Sequence, residues 1–361
     1  PGDAEVYLNL GNAQQDLKQW QAAIFSYRAV LQLAPHTTAV HANLASALHG
    51  AGDFKGAVAS YRRAIEATPN EAMLYNNLAR ALQSQGHVSD AIAAYEQALA
   101  IDGNFVQALS SLGLLQCQEK NYAPAIALCQ RAQLLQPGDA QACGQLAIVY
   151  GAAAEQDNAL LYFQRAIDLA PGSALAYNQL GDYYNTIRRY ALAVEAYNGA
   201  TEREPDNDEV HNNLGVALQA LERYDEAHAA YLRALELNPK NASALCNLGS
   251  VFQAQKNYEQ AQTHYQGAIA LDPTYERAHF ALGNCHALTN APTAALECYR
   301  AALALNPDFR DAYVNISATL SNLGRIDEAI DTCRAGLKVC PLWETLFSNY
   351  LFLLSHSANL D

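Results

Sequence analysis

Charge is scarce in this chain. Only 16% of its 361 residues are Asp, Glu, Lys or Arg, and 22 basic residues face 36 acidic ones, for a formal net charge of −14. Holding nucleic acid requires Lys and Arg clustered densely enough to displace counterions from phosphates. A scattered basic minority argues against that role, and against binding to acidic membranes. No apolar run is long enough to span a membrane, and no signal peptide is visible. The eight cysteines include no C-x-x-C pair and no regular spacing, which excludes a small secreted disulfide scaffold and predicts reduced, mostly buried thiols. Cys129 and Cys143 are the one pair whose sequence positions suggest proximity. No P-loop, G-x-S-x-G or H-E-x-x-H motif occurs. No catalytic residue, cofactor or metal is expected, and the chain itself is not expected to be an enzyme.

What the chain does have is apolar and periodic. Hydrophobic residues make up 51% of it, a composition that suits packed helices rather than disorder. The run Asn9-Leu10-Gly11 returns as Asn43-Leu44-Ala45 and Asn77-Leu78-Ala79, 34 residues apart each time, and continues in register to Ile316-Ser317. Twelve residues after each Gly, Ala or Ser of that column stands an alanine, from Ala23 and Ala57 to Ala329. Four residues further on comes an aromatic, from Tyr27 to Tyr299, with Cys129 and Cys333 as exceptions. The last column is proline, from Pro35 to Pro341, replaced once by Gly103.

Each column has a physical cause. Small residues let two helices of a hairpin approach closely. Aromatics fill the wedge between one hairpin and the next. Proline cannot continue a helix and ends the second helix of each unit. Breaks such as Gly52-Asp53, Gly86-His87, Lys256-Asn257 and Gly324-Arg325 separate the two helices, and such short connections make them antiparallel.

These columns resemble the tetratricopeptide repeat (TPR) family over residues 4–343. The resemblance implies an all-α, right-handed superhelix, an α-solenoid of ten helical hairpins plus a partial eleventh. The first helix of each hairpin would line the concave face. Residues 1–3, which match the linker Pro137-Gly138-Asp139, are expected to be an inter-repeat linker of a longer array. Residues 344–361 are expected to begin the eleventh repeat, with a strongly apolar helix on which something further packs.

The same family geometry sends positions 2, 5, 6, 9, 12 and 13 of each repeat, counted from Ala4, into the groove. Of those sixty residues thirty are Asn, Gln, Ser or Thr, and only seven carry charge. Position 6 is Asn9, Asn43, Asn77, Asn213, Asn247, Asn315 and Asn349, with Ser111, Gln145, Gln179 and Ala281 as departures. Asparagine is a mediocre helix former, so propensity does not select it. A carboxamide donates and accepts, so a ladder of them can hold the main chain of an extended or unstructured client polypeptide without reading its side chains. The alternative is that these residues serve helix packing alone. His41, His211 and His279 share a column with Tyr7, Tyr75, Tyr177 and Tyr313 and are read as packing rings.

An asparagine ladder in an uninterrupted array, with the tail Ser348-Asn349-Tyr350-Leu351-Phe352-Leu353-Leu354-Ser355-His356, resembles the superhelical region of O-linked N-acetylglucosamine transferases. That resemblance implies a protein–protein interaction scaffold, the substrate-recognition region of a glycosyltransferase; the cysteine usage suits the cytoplasm. A second reading is a structural protein that self-associates head to tail into a filament through its terminal repeats, extracellular if exported.

Overall fold

In a computed structural model, described for residues 2–341 and 343–357, every regular element is an α-helix among the described residues. Pro1, at the head of the expected linker, Leu342, and 358–361 of the expected terminal segment lie outside the described residues. The helices group into two compact units, one up to Gln179 and one from Leu180.

The first unit holds α1 (Gly2–Asp16), α2 (Trp20–Leu33), α3 (Val40–Gly50), α4 (Phe54–Ala67), α5 (Ala72–Ser84), α6 (Val88–Ile101), α7 (Val106–Gln118), α8 (Tyr122–Leu135), α9 (Ala140–Ala152) and α10 (Gln156–Leu169). The division falls within α11 (Ala174–Thr186). The second unit continues with α12 (Tyr190–Arg203), α13 (Asp208–Ala220), α14 (Tyr224–Leu237), α15 (Ala242–Ala254), α16 (Tyr258–Leu271), α17 (Glu276–Leu288), α18 (Pro292–Leu305), α19 (Arg310–Asn322), α20 (Ile326–Val339) and α21 (Glu344–Ser357). Each unit is an α-solenoid in which successive helices pack on one another, from α1 on α2 to α9 on α10 in the first and from α12 on α13 to α20 on α21 in the second. Several odd-numbered helices also touch the next odd-numbered one, as α1 does α3 and α13 does α15. The first helices of the hairpins therefore form the tighter, inner side of each unit.

The two ends of every hairpin are stopped by different chemistry. Second helices stop one residue short of the proline column: α2 ends at Leu33, and Ala34 caps it before Pro35. The ring of a following proline disfavours helical backbone in the residue before it. First helices stop by reversing the backbone at one left-handed residue per repeat. These residues are Lys18, Gly52, Gly86, Lys120, Ala154, Arg188, Glu222, Lys256, Asn290 and Gly324, with φ from 56° to 83°. At each, the next N–H reaches back five residues, as Asp53 N does to Leu48 O at 2.9 Å and Arg223 N to Leu218 O at 3.0 Å. This is the 6→1 bond of a Schellman ending, which satisfies a carbonyl the helix would otherwise leave open. Side chains then start the second helix in some repeats: Asp53 accepts from Gly56 N at 2.8 Å, and Asn257 from Gln260 N at 3.3 Å.

Seven of those ten left-handed residues carry a side chain. A Cβ in that conformation crowds the carbonyl oxygen and costs about 1–2 kcal/mol. Ala154→Gly is therefore expected to raise stability by about 1 kcal/mol, read as a higher urea midpoint. A lower midpoint would show that the turn is not strained.

The core runs through the columns. Tyr27, Tyr95, Tyr197, Tyr231, Tyr265 and Tyr299 are fully buried. Each ring lies on its own hairpin's small residue: a Cβ added to Gly215 would stand 2.5 Å from the Tyr231 ring, and one added to Gly181 2.5 Å from Tyr197. The aromatic thus packs inside its hairpin as well as towards the next. Where Cys129 replaces the ring, its Sγ takes the same place over Gly113. The packing reading of the ring column gains a polar half. His211 Nε2 and His279 Nε2 donate to Pro205 O and Pro273 O at 2.9 and 3.1 Å, and the Tyr313 hydroxyl donates to Pro307 O at 3.1 Å. These rings tie the proline turn to the helix that follows it.

Two expectations are corrected. Gly2 and Asp3 are not linker but the first turn of α1, where the carboxylates of Asp3 and Glu5 favour the helix N-terminus. The cysteines match their expectation, all eight being free and five of them buried; burial first, and the Cys117 thiol second, push the Cys129 pKa up to about 12. Such buried thiols stay protonated and unreactive. The terminal apolar helix is partly used: Leu346 and Leu353 are buried against α19 and α20. Phe347, Leu351 and Leu354, which share one face, are 48%, 51% and 37% exposed.

Candidate functional site

The inner face of each unit is built from first helices, so the position-6 asparagines fall on it by register. Asn9 is exposed, and Asn43, Asn77, Asn213, Asn247, Asn315 and Asn349 are half-buried. None is closed off from solvent. In the first unit the structure gathers Asn9, Asn43 and Asn77, and in the second Asn213, Asn247, Asn315 and Asn349.

Hydrogen bonds divide four of these carboxamides into two halves. The Nδ2 of Asn43 donates to Asn12 Oδ1 at 3.1 Å, Asn213 Nδ2 to Asp182 Oδ1 at 3.2 Å, and Asn315 Nδ2 to Asn284 Oδ1 at 2.8 Å. In all three the acceptor is position 9 of the preceding repeat. Asn247 Nδ2 donates instead to Asn212 Oδ1, at position 5, at 3.0 Å. The packing role is therefore real: in these four rungs one N–H ties the hairpin to the one before. The side-chain oxygens of Asn43, Asn213, Asn247 and Asn315 accept no hydrogen bond among the described residues. Each such rung therefore keeps an unused acceptor. Asn77 differs, since its oxygen accepts from Asn76 Nδ2 at 3.3 Å.

The position-9 acceptors are held from below by the aromatic column. The hydroxyls of Tyr27, Tyr197 and Tyr299 donate to Asn12, Asp182 and Asn284 at 2.9, 2.7 and 2.9 Å. In other repeats position 12 takes over: Tyr231 and Tyr265 donate to Gln219 and Gln253, both at 3.0 Å. A buried phenol must find a partner for its O–H. By meeting that need on the inner face it also fixes the side chain on which the next asparagine leans. Sequence reasoning missed these anchors. Their signal was the recurrence of Asn, Asp or Gln three and six positions after the ladder residue.

Asp182 is the one carboxylate in this role. Burial among the packed helices raises its pKa; the Tyr197 hydroxyl lowers it and the Glu209 charge raises it further. The residue as a whole is exposed, so water dilutes the effect. Burial and the Asp182 charge in turn raise the Tyr197 pKa, which keeps that phenol a donor.

The inner face of the second unit carries a groove of about 680 Å³. Asn213 and Asn247 line it, with Arg277, Phe280, Phe309 and Asp311 further along. Asn315 lines a neighbouring depression of about 390 Å³, and Asn349 one of about 210 Å³ beside Phe352. Among the described residues no group of three or more His, Cys, Asp and Glu side chains could hold a metal ion, and no helix is long and apolar enough to cross a membrane. The arrangement offers hydrogen-bond donors and acceptors spaced one hairpin apart, which suits recognition of a long, regular partner.

Comparison with protein families agrees with the geometry. Models described as "Tetratricopeptide repeat" match residues 4–37, 76–140, 140–173, 174–207, 196–229, 246–308 and 290–341. A model described as "TPR repeat" matches 46–86 and 218–256. No curated protein matches the chain. With the small, aromatic and proline columns seen in place and family models covering most of its length, the chain belongs to the tetratricopeptide repeat family.

Proposed function

We propose that this repeat scaffold holds extended segments of client polypeptides along the inner face of its hairpins, with Asn9, Asn43, Asn77, Asn213, Asn247, Asn315 and Asn349 bonding to the client's main chain. The observation that carries this reading is the division of labour in the carboxamides. In Asn43, Asn213, Asn247 and Asn315 one N–H anchors the rung to the preceding hairpin, while the oxygen accepts no hydrogen bond among the described residues. A side chain kept only for packing has no need of that spare acceptor. Anchoring also removes rotamer freedom before the client arrives, and preorganised groups lose less entropy on binding. Each rung is worth on the order of 1 kcal/mol net, so affinity grows with the number engaged.

On the resemblance of the ladder and of the segment 348–356, the clients are substrates delivered to a glycosyltransferase of the O-linked N-acetylglucosamine type. The test of the holding role is a calorimetric titration of an unstructured peptide into the wild-type chain and into one lacking two rungs. Equal affinities would overturn it.

A further inference from the structure

The ladder has a gap at Ala281, and the groove changes character there. Asn213 and Asn247 precede the gap and Asn315 follows it. On the same face of α17, Arg277 lies four residues before Ala281 and Phe280 one before it, so Arg277 and Phe280 are helical neighbours at i, i+3. Phe280 does not stand alone. Its ring centroid lies 4.9 Å from that of Phe309, tilted by 54°, and 5.5 Å from that of Tyr299. Phe280 and Phe309 are both half-buried and both line the 680 Å³ groove. Arg277 is exposed in the same groove and forms no ion pair among the described residues, although Asp311 lines the groove too. Only two basic residues occur among the sixty expected groove positions, in a chain of net charge −14. An unpaired guanidinium here has no carboxylate of its own to satisfy it.

From these contacts we infer that the Arg277–Phe280–Phe309 patch is a side-chain-reading subsite for an extended peptide bearing an acidic residue two positions from an aromatic one. This rests on the proposed holding of extended polypeptide. In an extended chain, residues i and i+2 point to the same side, so both side chains face the groove floor together. The guanidinium takes the carboxylate in a charge-assisted bond. The aromatic pair takes the ring in an edge or offset contact. Where the asparagine rung is missing, the groove thus exchanges main-chain holding for selection of the client.

The experiment uses calorimetry on the full chain with three acetylated, amidated peptides built on a Gly/Ser background. They carry Asp-Ser-Phe, Lys-Ser-Phe or Asp-Ser-Ala at the centre. The wild type is expected to bind the Asp-Ser-Phe peptide about tenfold more tightly than either of the others, the size of one good polar or aromatic contact. Arg277→Glu is expected to reverse the preference between the Asp and Lys peptides. Arg277→Gln is expected to abolish that preference, and thermal unfolding of both variants should match wild type because Arg277 is exposed. Equal affinities of wild type for the three peptides, no binding of the Asp-Ser-Phe peptide, or an unchanged preference in Arg277→Glu would overturn the subsite. The ladder is judged separately, since Asn213→Ala with Asn247→Ala should weaken all three peptides by one common factor. Inert asparagine variants beside a reversed preference in Arg277→Glu would leave the subsite standing and remove the ladder.

Discussion

Replacing Asn213 and Asn247 together by alanine is expected to weaken binding of an unstructured peptide about thirtyfold. The figure follows from two hydrogen bonds at roughly 1 kcal/mol each, converted to affinity. These two rungs are chosen because they occupy consecutive repeats and line the same groove. The double variant also removes their bonds to Asp182 and Asn212. Those acceptors are solvent-accessible, so water replaces the lost donors at little cost. Asp182 in addition keeps the Tyr197 hydroxyl at 2.7 Å. Stability should therefore change by less than about 1 kcal/mol while affinity falls. Calorimetry measures the first effect and urea unfolding the second. An affinity within twofold of wild type would assign the asparagines to packing alone.

Tyr231→Ala is expected to carry the largest stability effect, about 3–5 kcal/mol for a large buried side chain removed from a close-packed site. Tyr231 is 0% exposed, and its ring lies so close to Gly215 that no Cβ fits between them. Removal of the ring leaves a void between α13 and α14 beside Gly215. The hydroxyl bonds Gln219, whose amide donates to Ser250 of the next repeat at 2.9 Å. Loss of the ring thus also loosens a link between hairpins. Tyr231→Phe isolates that link and should cost only about 1 kcal/mol. Because each hairpin draws its stability from its neighbours, hydrogen exchange in Tyr231→Ala should rise first in α13 and α14. A urea midpoint close to wild type, or exchange rising evenly along the chain, would contradict this packing account.

Much of the fold could be read from the sequence because the period repeats without interruption. Glycine marked the reversal at Gly52, Gly86 and Gly324, and Lys256-Asn257 was placed by register. Lys18, Lys120, Ala154, Arg188, Glu222 and Asn290 give less away, because most of these residue types do not favour a positive φ. Only their offset of 34 residues from a glycine reveals the turn. The ladder was legible as a column, but its hydrogen bonds were not. Whether Asn213 meets Asp182 depends on how one hairpin sits on the last, and no single repeat encodes that. The same reason hides the tyrosine hydroxyls that hold the position-9 side chains. It also hides the pairing of Phe280 with Phe309, which joins α17 to the start of α19 across an intervening helix. The first turn of α1 was misread as linker because Gly2-Asp3 copies Gly138-Asp139. In the later copy Asp139 caps α9, accepting from Gln141 N, whereas Asp3 is already inside a helix.

The central claim is that the asparagines hold a main chain, and methylating that main chain tests it most directly. A Gly/Ser/Thr peptide free of acidic and aromatic residues would be compared by calorimetry with the same peptide N-methylated at alternate residues. Each methyl removes one N–H that the open Asn oxygens would accept. The methylated peptide should bind at least about fivefold more weakly per lost bond, while shuffling the unmethylated sequence should leave affinity unchanged. Equal binding of methylated and parent peptides would show that the amide row does not grip a backbone.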